Sequence, residues 1–344
     1  MNKKMGFGVV LLLAVAFTAF AQEYEPEGNF RTETLFGGQS VKITEYRGTS
    51  RTVSIPPSIQ GLAVTQIENN AFREKRLISV TIPNSVTSIG QEAFANNQLT
   101  SVTIPNSVTH IYNSAFSNNQ LSSVTIGNSV TVIDNNAFWK NQLTSVTIPD
   151  SVTEIGTAAF ADDKLTSVII PNSVTKIGGR AFARNQLMSV TIGNSVTEIG
   201  TEAFARNQLT SVTIPNSVTK IGDEAFARNQ LTSVTIGNSV TSIGDTAFNG
   251  NKLTSVTIPN SVTSIKRYAF AGNQLTSVTI GNSVTVIEEW AFNYNTLLTN
   301  ITIGANVSIN DEAFGGGFKE FYRTQGRRAG TYTWNNGTWS VVSR

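Results

Sequence analysis

The 344-residue chain has no cysteine and a single histidine. Without a thiol there is no disulfide framework, no thiolate zinc site, no cysteine nucleophile and no lipid-modified cysteine. His110 alone offers little to metal or triad chemistry, and a surface role is expected for it. Charge is also scarce. Asp, Glu, Lys and Arg make up 14% of residues, against roughly 25% in a typical soluble domain. Lys+Arg 25 against Asp+Glu 23 gives a formal charge of +2, too little for the cationic field that would grip nucleic acid or an anionic membrane. No HExxH, P-loop or dinucleotide-binding glycine pattern occurs. These absences point away from an enzyme and supply neither a cofactor nor a metal site. Serine, threonine and asparagine take the place of charge, so a polar, uncharged surface is expected.

A long apolar run occurs only at the start. Residues 1–21 place Lys3 and Lys4 before an apolar stretch from Met5 to Phe17 and close on Ala19-Phe20-Ala21, the pattern of a secretory signal peptide cleaved before Gln22. The stretch is short of the ~20 residues of a spanning helix, and Glu23, Glu25 and Glu27 follow it. The mature chain is therefore expected to have no transmembrane segment and to be exported, whether to the periplasm, the outer surface or the medium. Without Lys3 and Lys4 it carries 23 basic and 23 acidic residues.

What the sequence does have is a period. Ala-Phe pairs place phenylalanine at 72, 94, 116, 138, 160, 182, 204, 226, 248, 270, 292 and 314, always 22 residues apart. Leu209 to Gln230 shows the consensus, LTSVTIPNSVTxIGxxAFxxNQ, with apolar residues at positions 1, 4, 6, 10, 13, 17 and 18. The β-branched LTSVTI segment alternates inward Val and Ile with outward Ser and Thr, as a half-buried strand does. Pro or Gly at position 7 and Asn at position 8 end it. VTxIG forms a second short extended piece, and GxxAFxxNQ a tight or 3₁₀ turn carrying Phe inward. No single repeat covers its own apolar face; stacking copies at ~4.8 Å does. The expected fold is a repeat solenoid, a leucine-rich-repeat-type parallel β-solenoid. Asn97, Asn119, Asn141, Asn185, Asn207, Asn229, Asn251, Asn273 and Asn295, with Asp163 once, occupy position 21. Amides there are expected to bond backbone groups of adjacent coils.

Both ends of such a stack need closing. Residues 22–50 form an N-terminal segment and cap, and Gln60 to Ala63 add a small hairpin to the first coil. Residues 51–316 form the solenoid with its twelve Ala-Phe coils, in which Leu297 to Phe314 shifts one residue between turn and strand. Residues 317–344, with Asn335-Asn336-Gly337 between two strand-like segments, read as a C-terminal capping hairpin.

The string SVTIPNSVTxIGxxAF, in phase at 79–94, 101–116 and 211–226, resembles the BspA-like bacterial leucine-rich repeats over about residues 38–315. The tail GRRAGTYTWNNGTW is similar to terminal modules of exported treponeme-like proteins. Many family repeats have 23 residues and a cysteine where Asn97 and its equivalents stand here. The resemblance implies a non-enzymatic, secreted or surface-displayed protein that binds proteins, with adhesion to host matrix or bacterial surface proteins as its role. A glycan-binding or purely structural envelope solenoid is the alternative.

Several rows are candidate binding surfaces. Outward Ser189, Ser211 and Ser233 beside Thr191, Thr213 and Thr235 suggest a flat hydroxyl platform, interrupted at Ile169. Arg184, Arg206 and Arg228 form a basic stripe, with Glu202, Asp223 and Glu224 expected to blunt it. Tyr268 and Trp290 occupy equivalent positions on adjacent coils and can stack; aromatic residues are enriched in binding hot spots. Glu154, Lys176, Glu198 and Lys220 alternate in sign at position 12, as an exposed charge ladder.

Overall fold

The computed structural model describes residues 23–35 and 37–343; the export segment expected over residues 1–21 lies outside them. The chain winds into a parallel β-solenoid with one α-helix among the described residues, Phe318–Thr324, and a short 3₁₀ turn at Glu27–Asn29. Each coil contributes a two-residue strand at positions 12 and 13. From Ser88–Ile89 to Ser308–Ile309 these strands pair in parallel and in strict register, Ile against Ile. The sheet starts with Phe30–Thr34, antiparallel to Ser40–Tyr46, which pairs in parallel with Leu62–Ile67. Ser58–Ile59 folds back on Leu62–Ile67, the hairpin expected at Gln60 to Ala63.

The core between the strands and turns is a column of rings. From Phe72 to Phe314 successive phenylalanines stack with centroids 4.9–5.6 Å apart. Tyr46 extends the column at one end, 5.4 Å from Phe72. At the other, Phe318 roofs Phe314 edge-on at 5.2 Å, so the last ring is buried like the inner ones. The C-terminal cap contains more than the expected hairpin. The helix buries Phe318 and Tyr322 against the last coil, and only then do Gly330–Asn335 and Thr338–Ser343 form the antiparallel pair that adds to Asn300–Ile303.

The position-21 side chains tie the turn to the strand. Asn229 accepts the Leu209 N–H at 3.1 Å and donates to the carbonyls of Phe226 and, one coil back, Phe204. The same three bonds recur at Asn97, Asn119, Asn185, Asn207, Asn251, Asn273 and Asn295. The turn itself places residues 16 and 20 of each coil in the left-handed region, for example Glu202 at φ 56° and Arg206 at φ 58°. L-residues there cost roughly 1–2 kcal/mol each. In return, residues 16, 18 and 20 all donate to the next coil, as Glu202, Phe204 and Arg206 do to Asp223, Ala225 and Ala227.

The Ser-Val-Thr strands on the other side are not the flat, continuous sheet the sequence suggested. They ladder in short groups. Ser101–Thr103 pairs with Ser123–Thr125, Ser167–Ile169 with Ser189–Thr191, and Ser211–Thr213 with Ser233–Thr235. Ser255–Ile258, Ser277–Ile280 and Asn300–Ile303 run on into the cap. Each of these ladders leads into a coil with glycine at the end of its strand: Gly127, Gly193, Gly237, Gly281 or Gly304. Coils entered at Pro105, Pro149, Pro171, Pro215 and Pro259 leave the ladder open before them; the first pair, Thr52–Ser54 with Ser79–Thr81 ahead of Pro83, is the exception. Steric contact explains the rule. A Cβ on Gly127, Gly193 or Gly237 would stand 2.4 Å from the carbonyl oxygen of Pro105, Pro171 or Pro215, so only glycine permits this approach. At the open junctions the chain separates. Val234 is half-buried, and a fissure of about 320 Å³ opens between it and Val256.

Two stability predictions follow from this packing. Gly237→Ala forces the Pro215 carbonyl away and should destabilise the fold by about 1–3 kcal/mol, as overpacking does, whereas Pro259→Ala, at an open junction, should leave the melting temperature within about 1 kcal/mol equivalent; thermal unfolding of both variants checks this.

Asp163 supplies the second. Its Oδ1 accepts the Leu143 N–H at 3.0 Å, but its buried Oδ2 has no partner, because a carboxylate cannot donate as the amides do. Burial pushes its pKa up to about 8, so the folded chain holds a proton that the unfolded chain releases near the ordinary value of 3.8. Stability linked to this group is full below that value and falls as pH rises towards 8. Asp163→Asn should therefore unfold at a higher temperature than the natural chain at pH 8–9, with the gap closing towards pH 4. A gap independent of pH would contradict the assignment.

Candidate functional site

The residues singled out by sequence lie in three separate places. Ser189, Ser211, Ser233, Thr191, Thr213 and Thr235 are exposed on the interrupted face, where the fissure after Thr235 breaks the platform. Ile169 and Met188 stand exposed among these hydroxyls. Arg184, Arg206 and Arg228 project from the left-handed corner of the turn and are exposed. No carboxylate among the described residues lies within ion-pair distance of them. Glu202, expected to blunt the stripe, is drawn instead to Arg180, whose charge it stabilises. Tyr268 and Trp290 do stack, with centroids 5.0 Å apart and planes inclined by 13°. The Arg267 guanidinium lies 5.5 Å from the Trp290 ring and 3.6 Å from Glu289.

The sequence reading overlooked a trough on the continuous sheet. Position 14 is Gly156, Gly178, Gly200, Gly222 and Gly244 in five consecutive coils, but Tyr112 and Asp134 before them and Lys266 and Glu288 after them. Small residues in the middle and large ones at both ends leave two depressions end to end, of about 430 and about 280 Å³. Glu154, Lys176, Glu198 and Lys220 form one wall, in register as the alternation implied. Within this row only Lys220 and Glu198 close to 3.0 Å. Thr157, Gly179, Thr201, Asp223 and Asp245 at position 15 form the other wall. The Lys266–Glu288 ion pair, 2.7 Å long, closes one end and holds the lysine pKa above its ordinary value. At the other end the His110 ring stacks on Tyr112 at 4.0 Å and stands 3.6 Å from Asp134.

The trough also offers backbone donors. In four other coils of this row the N–H of residue 15 is taken by the side chain one coil back: Asn69 takes that of Gln91, Asn135 that of Thr157, Asp223 that of Asp245 and Asp245 that of Arg267. Thr157, Gly179 and Thr201 provide no such acceptor. The N–H groups of Gly179, Thr201 and Asp223 therefore have no bonding partner among the described residues; Gly179 is half-buried and Thr201 and Asp223 are exposed, so all three are open to an acceptor from outside. The signal was present in the sequence, as the exchange of glycine for bulk at position 14, but it is indistinguishable there from the repeat consensus. Among the described residues no group of three or more His, Asp and Glu side chains is placed to hold a metal ion, and no helix is long and apolar enough to cross a membrane.

Comparisons with known proteins agree with this architecture. A leucine-rich repeat protein from Bacteroides ovatus is similar in structure, with 22% identity, 83% of this chain and 78% of that chain covered, and a TM-score of 0.58. A leucine rich cell surface protein from Faecalibacterium prausnitzii is 25% identical over 85% of this chain and 95% of its own, with a TM-score of 0.47. The leucine-rich repeat protein of T. pallidum is 23% identical over 62% of this chain and 82% of its own, with a TM-score of 0.36. No curated protein matches the chain. The BspA type leucine rich repeat region, in 6 copies, matches residues 65–187, 131–252 and 219–319. These stretches together span most of the solenoid, and the chain belongs to the BspA-type leucine-rich-repeat family.

Proposed function

We propose that this chain is an exported, non-enzymatic scaffold that binds a partner protein along the trough of its continuous sheet, displayed at the bacterial surface for adhesion to host matrix or bacterial surface proteins. The observation that carries the reading is the run of three unpartnered N–H groups, at Gly179, Thr201 and Asp223, between walls of alternating charge. Adjacent coils repeat at ~4.8 Å, so these donors form a line along the stack that is open to acceptor oxygens of a partner. Lys176 and Lys220 against Glu154 and Glu198 add orientation and specificity more than affinity. The Tyr268–Trp290 stack, beside the closed end, gives such a partner an aromatic anchor of the kind that dominates interfaces. The interrupted Ser/Thr face offers hydroxyls and the isolated Ile169 and Met188 but no aromatic stack, and its fissure breaks the row, which makes it the weaker platform. Export rests on the pattern of residues 1–21.

The test compares the two surfaces on immobilised extracellular-matrix proteins and on whole bacteria. Thr201→Arg places in the trough wall a side chain that position 15 already carries at Arg267, and should reduce binding at least about tenfold, equivalent to ~1.4 kcal/mol. Lysine at Thr191, Thr213 and Thr235 together should leave binding unchanged. The reverse pattern would move the site to the hydroxyl face, and protease inaccessibility of the protein on intact cells would remove adhesion.

A further inference from the structure

The clearest second site lies where the repeat meets its cap. In ten successive turns the N–H of residue 20 donates to the carbonyl of residue 19 one coil on, from Glu74 to Ala95 through to Gly272 to Asn293. At the eleventh the bond is missing. The Tyr294 N–H turns to the Asn293 Oδ1 at 2.7 Å, and so does not reach the Gly315 carbonyl. The cause is local. Leu297 to Phe314 carries one extra residue between turn and strand, so Thr296 and Leu297 bulge at this junction and the corner opens at Tyr294, although Phe292 still donates to Ala313.

A groove of about 360 Å³ fills the opening, lined by Tyr294, Thr296, Leu298, Gly316, Trp334 and Trp339. The indoles come from the facing strands of the terminal hairpin, opposite each other in register, with centroids 5.3 Å apart. The Trp339 Nε1 donates to the Gly316 carbonyl at 2.9 Å, which fixes that ring against the turn. Gly316 occupies the position that carries arginine at Arg206 and Arg228. A Cβ there would come within 3.8 Å of the Trp334 ring, so a larger side chain would fill the groove. Tyr294 stands on the rim at 67% exposure.

We infer that this groove binds a neutral saccharide of one or two rings. The Tyr294 and Trp334 rings match the apolar C–H faces of a pyranose, with the buried Trp339 beneath them, and the volume lies at the lower end for small-ligand sites. The polar groups are suited to hydroxyls: the Gly315 carbonyl, which Tyr294 does not take, accepts, the Asn293 amide nitrogen donates and the Thr296 hydroxyl does either. No charged side chain lines the groove, which selects against sialylated, sulfated or phosphorylated ligands, whose charge would be desolvated without a partner. The site is separate from the trough and does not depend on it.

The test is titration of the purified full chain with maltohexaose, cellohexaose and hexa-N-acetylchitohexaose, followed by calorimetry and tryptophan fluorescence. At least one sugar should bind with one-to-one stoichiometry and shift the indole emission. Tyr294→Ala and Gly316→Arg should each weaken binding by about tenfold or more. Tyr294→Ala should keep the unfolding temperature, since Tyr294 is exposed, and Gly316→Arg should stay folded at a cost of roughly 1–2 kcal/mol, the left-handed strain that Arg206 and Arg228 already bear. Failure of all three sugars at millimolar concentration, or binding unchanged in both variants, would overturn the assignment. Tighter binding of a proline-rich peptide than of any sugar would overturn it as well.

Discussion

The buried amide at position 21 is the contact on which the rest of the structure depends. Each asparagine takes the N–H that opens its own coil and gives its hydrogens to the Phe carbonyls of that coil and of the one before. Leaving such groups buried and unpaired costs about 1–3 kcal/mol apiece. Through these bonds a turn with two left-handed residues is held at one height, its phenylalanine is delivered to the ring column, and the next strand starts in register. Asp163 shows the constraint by its departure from it: a carboxyl can satisfy the position only by keeping a proton.

A second constraint acts on the other side of each coil. Glycine at position 7 lets the chain approach the preceding proline carbonyl, and proline at the same position prevents it. The Ser-Val-Thr strands therefore ladder in groups, while the two-residue strands pair without interruption. This division of the two faces gives them different surfaces. The continuous face carries a trough whose floor is glycine; the interrupted face carries fissures between otherwise similar hydroxyl rows.

Much of this was legible in the sequence. The 22-residue period, the inward Val, Ile and Phe, the role of Asn97 and its equivalents, and the N-terminal hairpin around Gln60 all follow from spacing and side-chain chemistry. Other features were not. Glu202 and Arg206 carry no mark of a left-handed backbone, because the turn is stabilised by bonds to neighbouring coils rather than by its own residues. The helix Phe318–Thr324 is too short to announce itself by periodicity, and its amphipathic face exists only against the last coil. The open ladder depends on whether glycine or proline comes next, a relation between coils rather than within one. The candidate surface suffered most from this: Thr191, Thr213 and Thr235 were conspicuous because they repeat, whereas Gly179 and Thr201 matter because they do not.

The most direct measurement of the amide ladder is amide hydrogen exchange in Asn207→Ala. That side chain bonds the Leu187 N–H and the carbonyls of Phe182 and Phe204. The ladder predicts that the Leu187 amide loses its protection and that loss spreads to the turn amides of the coils on both sides, Phe182 and Phe204 among them, while the caps remain protected. Exchange that rises only at Leu187, or not at all, would show that the ring column and the strands hold the coils without the amides.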